Sequence, residues 1–167
     1  NQSYSLYEKL YVTHTAFYVF WKNNILFSWR WWILISLSVL PWTIWVLIRK
    51  KESADRLLYV AFFVMIFYSA FDMIGVALNL WYHPVTLLPL MPGFVTFDFC
   101  ILPVSTILLI QYFPKVNPYI KAVIFSIISS FIFEPMNVNL GLYVKIHWEY
   151  YYSVPIMILI YLIANYI

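Results

Sequence analysis

The 167 residues are 64% hydrophobic, 22% aromatic and only 10% charged, which excludes an ordinary water-soluble fold and leaves enough chain for one compact domain. The net charge of +3 is modest and concentrated at loops, so nucleic acid is not an expected partner. The single cysteine, Cys100, can form no internal disulfide and says nothing about redox compartment.

Mean hydropathy is +0.81, and apolar runs of about 20 residues recur, the length a helix needs to cross ~30 Å of hydrocarbon. Transmembrane β-strands would show shorter alternating segments instead. The prediction is an all-α polytopic membrane bundle, one domain over residues 1–167.

Residues 4–21 read as an amphipathic helix. Leu6, Leu10, Phe17 and Trp21 fall at helical spacing, with Glu8, Lys9, Thr13 and Thr15 elsewhere around the axis. The aromatic content predicts a helix lying in the membrane interface rather than crossing it. The segment lacks the basic start, clean apolar core and small-residue cleavage site of a signal peptide. Span one covers 31–48, opened by Arg30-Trp31-Trp32, kinked at Pro41 and closed by Arg49-Lys50-Lys51. Span two covers 57–80 and is interrupted only by Asp72. A proline-rich link runs from Trp81 through Pro84 and Pro89 to Pro92-Gly93. Span three, 94–113, holds Asp98 and Pro103, and span four, 119–138, holds Glu134-Pro135. A polar, aromatic link over 139–152 leads to span five, 153–167. The expected fold is therefore five transmembrane helices plus an N-terminal interfacial helix.

Lys and Arg set the orientation. The link 49–56 carries Arg49, Lys50, Lys51 and Arg56, and the region joining spans three and four adds Lys115 and Lys121. The link 81–93 has no Lys or Arg, and 139–152 has only Lys145. Positive residues gather in cytoplasmic loops, which places the amino terminus outside the cytoplasmic membrane and the carboxyl terminus inside.

Asp72, Asp98 and Glu134 are the informative residues, because an Asp at a helix centre costs at least ~2.5–3.5 kcal/mol even on insertion scales. Asp72 and Glu134 each lie 15 residues into an outward-running span, roughly 22 Å up at the helical rise. Asp98 lies four residues into an inward-running one, so all three share a level in the outer third of the bilayer. Asn79, seven residues after Asp72, and Tyr68, four before it, fall on the same helix face. Asn137, three after Glu134, shares its face. Trp81, Tyr82, His83, His147 and Trp148 lie just above. These eight are the candidate substrate-binding residues, with Asp72, Asp98 and Glu134 the candidate catalytic acids. No Lys or Arg is expected at that depth, so the cluster should hold at least one proton at neutral pH, and a carboxylic acid kept neutral is a proton donor. The opposing reading, in which each acid is satisfied separately by a helix end or by Tyr or Asn, stays open. No two histidines have helical metal-ligand spacing, and there is no Gly-rich phosphate loop, so neither metal nor cofactor is expected.

The pattern Trp29-Arg30-Trp31-Trp32, Pro41-Trp42, Arg49-Lys50-Lys51, Asp72, Trp81-Tyr82, Pro89, Asp98, Pro103, Phe133-Glu134-Pro135 and His147-Trp148 resembles a family of small five-span membrane proteins of spore-forming Firmicutes. That resemblance covers most of the chain and brings no activity with it. An Asp in one span, an aromatic-Tyr-Pro link before an acid in the next, and a separate Glu-Pro span are also similar to the integral-membrane lycopene and meroterpenoid cyclases. This similarity implies a bundle whose buried acids protonate an isoprenoid alkene or epoxide before ring closure, with Asp72, Asp98 and Glu134 as the acids. The chain departs from that group in having fewer spans, and isolated rather than paired acids.

The expected function is a small membrane enzyme acting on a membrane lipid or isoprenoid by acid catalysis, with aromatic faces holding cationic charge. The alternative is a non-enzymatic transport component, or an accessory subunit of a larger membrane complex. Assembly as a homo-oligomer stays open. A closed aromatic pocket opening sideways to lipid favours the enzyme, and a wet path to the cytoplasmic side favours transport.

Overall fold

The computed structural model describes residues 2–89 and 93–167, so Pro92 of the proline-rich link lies outside the described residues. The described chain is helical apart from its connecting loops and one short antiparallel strand pair. The helices are α1 (Gln2–Asn24), α2 (Trp29–Ile48), α3 (Ala54–Ala77), α4 (Leu102–Tyr112), α5 (Pro118–Ile128), α6 (Glu134–Asn139) and α7 (Tyr150–Tyr166). A π turn, Phe97–Ile101, leads into α4, and a second, Ser129–Phe133, joins α5 to α6 without a break. Strands β1 (Trp81–Tyr82) and β2 (Val144–Lys145) pair antiparallel, Trp81 opposite Lys145 and Tyr82 opposite Val144.

Each expected span contains a helix. Three of these, Trp29–Ile48, Lys51–Ala77 and Pro118–Asn139, are long and apolar enough to cross a membrane. Phe97–Tyr112 and Tyr150–Tyr166 are shorter. The 17 residues of α7 rise about 25 Å against ~30 Å of hydrocarbon. The third span loses its first residues because the chain at Phe94 is held by Asp72, described below, before helical winding begins. Leu47, Phe62, Ile66, Ile124 and Leu159 all stand exposed on the outward faces. That much exposed apolar surface is foreign to soluble monomers and compatible with a membrane protein.

Packing divides the bundle into two pairs. α3 lies on α4, and α5 lies on α7, where the fully buried Ala122 and Ala164 let the backbones approach. Val60, Val64, Ile107 and Tyr161 fill the core between them. α1 stands largely apart: among its described residues only Trp21 is buried, and its indole Nε1 donates to the Thr86 carbonyl at 2.8 Å. At the end carrying the basic link, the Lys50 N–H donates to Gln111 and the Tyr112 hydroxyl to the Ile48 carbonyl.

The opposite end is built by two matching helix stops. α3 ends with Asn79 at φ 57, the Asn79 N–H bonded to Val76 O and the Leu80 N–H to Gly75 O. α6 ends with Gly141 at φ 69, the Gly141 N–H bonded to Val138 O and the Leu142 N–H to Asn137 O. Both are Schellman motifs, with a residue that tolerates the left-handed region at the turning position. Each releases the chain directly toward a strand, so the paired strands cap this end of the bundle. Asn79 is thus a helix stop, exposed, and not the inward-facing residue that seven-residue spacing implied.

Trp81 lies so close to Gly75 that a Cβ there would stand 1.9 Å from the indole. Gly75→Ala should therefore destabilise the protein by about 1–3 kcal/mol and displace the indole. Thermal unfolding in detergent and a red shift of tryptophan emission check this, and an unchanged midpoint would contradict the packing described.

Candidate functional site

The chamber forms where the π turns interrupt two helices. A proline inside a helix removes one i→i−4 hydrogen bond and crowds the preceding turn. Pro103 and Pro135 each follow directly on a π turn, whose wider winding accommodates the ring. Asp98 sits within the first π turn, and Glu134 follows the second. The first is clamped from α2: the Trp42 indole donates to the Phe99 carbonyl at 3.0 Å, and the Ser38 and Thr96 hydroxyls meet at 3.0 Å. Widened turns leave side chains out of helical register and point both acids inward.

Asp72, Asp98 and Glu134 line one cavity of about 130 Å³. Trp81, Trp148 and Phe71 form its roof, with the two indoles edge-to-face at 4.9 Å. One wall is a stack, His83 on Phe94 at 4.6 Å and Phe94 on Phe97 at 4.7 Å. The floor, toward the basic end, is Leu102, Phe125, Ile156 and Met157.

Asp72 is saturated. It accepts from the Trp81 indole at 2.6 Å, from His83 Nε2 at 3.0 Å and from the Phe94 backbone N–H at 2.6 Å. His83 Nε2 is therefore the protonated nitrogen, since a carboxylate only accepts. No Lys or Arg pairs with Asp72 among the described residues, but His83 does. The link folds back into the bundle and delivers an imidazole, a distance that counting residues along a helix does not reveal.

Asp98 differs. Its Oδ2 is buried without a protein partner. Both Asp72 Oδ2 and Asp98 Oδ2 face Gly93, at 3.1 Å and 3.6 Å from the position a Cβ would take there. A side chain at 93 would press on both oxygens, so glycine permits the close approach. Glu134 Oε2 is likewise buried and unpaired, beside the Ser153 hydroxyl, which itself accepts from the Trp148 indole at 3.0 Å. Tyr68 Oη, His83 Nδ1 and Asn137 Oδ1 are three more buried polar atoms without protein partners. Five such atoms around one cavity are far from the normal state of a protein interior. They require polar groups from a ligand or from water.

Of the sequence-selected residues, Tyr68, Asp72, Trp81, His83, Asp98, Glu134, Asn137 and Trp148 line the chamber. Asn79, Tyr82 and His147 do not. Tyr82 is exposed because neighbours in an extended strand point to opposite sides, and His147 is exposed in the bend that follows β2. Trp81 and His83 turn inward and Tyr82 outward; Trp148 turns inward and His147 outward, its backbone N–H going to the Leu80 carbonyl.

Sequence reasoning passed over Tyr143, Ser153, Ser105 and Ser129, which also line the space. Tyr143 packs against His83 and Trp81. Burial, then the negative charges of Glu134 and Asp72, push its phenol well above the ordinary tyrosine range, so it remains an O–H donor between them. Its position just after the Gly141 stop was the available signal. Among the described residues, no three His, Cys, Asp or Glu side chains converge as metal ligands. No protein-family model, curated protein or solved structure matches the chain.

The two aspartates should respond differently to neutral substitution. Asp72→Asn places an NH2 group against donors and should cost about 2–3 kcal/mol. Asp98→Asn removes a carboxylate facing another carboxylate and should leave stability unchanged or raised. Thermal midpoints of the purified variants in detergent measure the contrast, and equal losses would show that both charges are structural.

Proposed function

We propose that the protein is a five-span enzyme of the cytoplasmic membrane that transfers a proton to the carbon chain of a membrane lipid or isoprenoid. The observation that carries this reading is the chamber itself: unpaired carboxyl oxygens of Asp98 and Glu134 inside an aromatic wall. On this reading Asp98 is the acid. Asp72 is already fixed as the anion by three donors, and two adjoining carboxyl groups in a low-dielectric site favour one shared proton. The Asp98 O–H bond breaks as its proton adds to an alkene carbon. The alkene π pair forms the new C–H bond, and the neighbouring carbon becomes cationic. A second alkene of the same chain attacks that carbon and closes a ring. A proton then leaves the ring to a carboxylate, for which Glu134 is placed, so the product is an isomer of the substrate. The faces of Trp81, Trp148, Phe94 and Phe97 stabilise the passing cation.

The apolar floor of Leu102, Phe125, Ile156 and Met157 supports this reading over a water-filled path to the basic end. The basic ends of the helices, with Arg49, Lys50, Lys51 and Arg56, belong to the cytoplasmic side on this reading and the chamber to the outer half.

Two experiments test it. Single cysteines placed in the 49–56 link, with buried Cys100 as a silent background, should resist an impermeant thiol reagent in intact cells; strong labelling would reverse the orientation. Protein reconstituted with polyprenyl substrates in D2O should release an isomer carrying one new C–D bond. Asp98→Asn and Glu134→Gln should lower its formation by about 10²-fold or more at unchanged thermal midpoint. Undiminished turnover in Asp98→Asn would end the assignment of the acid.

A further inference from the structure

The chamber continues into a second space. α4 leans on α3 while α5 leans on α7, and between α4 and α5 lies a groove of about 450 Å³. Ser105, Phe125, Ser129 and Phe133 line both spaces, so the two are continuous. The groove walls are hydrocarbon, and Ile120, Ile124 and Ile128 among them stand exposed on the outer face of α5, so it opens sideways.

Its far end holds a charge. Lys121 lines the groove near the turn joining α4 to α5 and is only 7% exposed. One Nζ hydrogen goes to Asn165 Oδ1 at 3.0 Å. Among the described residues no carboxylate pairs with it. A buried ammonium with two spare donors, in an apolar groove, calls for an anion.

We propose that this groove is a lateral port for a single-chain lipid phosphate, with the phosphate at Lys121 and the tip of the chain in the chamber. The proposal rests on the chamber being the reacting site. From Lys121 to Phe133 the helix rises about 18 Å, the reach of an extended chain of farnesyl or myristoyl length. Lys115, exposed in the same turn, extends the positive field at the mouth. The geometry orders the substrate: head at the basic end, reactive tail beside Asp98 and Glu134. The acids then meet the end of the chain farthest from the phosphate, so the phosphate is retained during reaction.

The test reads binding, not turnover. Purified protein in neutral detergent is titrated with farnesyl phosphate, farnesol and inorganic phosphate, following tryptophan emission, because Trp81 and Trp148 line the chamber. Farnesyl phosphate should bind saturably and at least about tenfold more tightly than farnesol, and inorganic phosphate should give no emission change. Lys121→Gln, which keeps a partner for Asn165, should bring farnesyl phosphate down to the affinity of farnesol. Ile124→Trp, on the exposed wall, should weaken both lipids without disturbing the core. Equal affinity for the two lipids in the parent protein overturns the proposal, as does farnesyl phosphate binding that neither substitution moves. Lys121-dependent binding without any turnover would sink the catalytic reading and leave the port standing.

Discussion

Asp72 accepts hydrogen bonds from two stretches of chain: Trp81 and His83 at the start of the link, and the backbone of Phe94 at the entry to the first π turn. One carboxylate therefore holds β1, the link and the start of the α4 rod to α3. Charge-assisted bonds of this kind are short and roughly twice as strong as neutral ones. In a low-dielectric surrounding they also leave little freedom for alternatives. The arrangement fixes where Asp98 stands, because Phe94 begins the turn that carries it. It fixes the His83–Phe94–Phe97 stack for the same reason. A residue that looks from the sequence like one of three equal acids is the anchor that positions Asp98.

The second constraint is the pairing of proline with π winding. Pro103 and Pro135 would each break an α-helix in hydrocarbon, where every backbone carbonyl needs a donor. At the first turn part of the deficit is met by a side chain, with the Trp42 indole on Phe99 O, the carbonyl four residues before Pro103. The widened turns face one another across the chamber. Helix continuity is thus given up at the two places where an acid has to leave helical register, which links backbone irregularity to the chemistry of the site.

Much of this was legible before the structure. The common depth of Asp72, Asp98 and Glu134 follows from helical rise alone, and all three do line one cavity. What failed had local causes. Asn79 would have faced the acids only if α3 continued past Ala77, but its Schellman stop turned it out. Tyr82 and His147 were grouped with their neighbours as if a whole segment faced inward, whereas the strand at Tyr82 alternates and the chain at His147 bends. The His83–Asp72 contact depends on how a proline-rich link folds back, and no periodicity encodes that. Tyr143 was passed over because its link lacks periodic signal. The apolar groove was invisible because it arises from how two helix pairs diverge, not from any residue type.

The unpaired atoms of the chamber carry a cost that structure alone does not explain. Each buried polar group without a partner is worth about 1–3 kcal/mol against folding, and Tyr68, His83, Asp98, Glu134 and Asn137 each contribute one such atom. A chain selected only for packing would replace them with hydrocarbon of similar volume, and helices this apolar have ample means to do so. Asp72 escapes that argument because its bonds hold the fold. Asp98 and Glu134 do not, since neither unpaired oxygen ties one segment to another. Sites that violate the rules of a stable interior, while their surroundings obey them, are where function is to be sought. By that criterion the free oxygens of Asp98 and Glu134, rather than the better-bonded Asp72, are where a role beyond folding is to be sought.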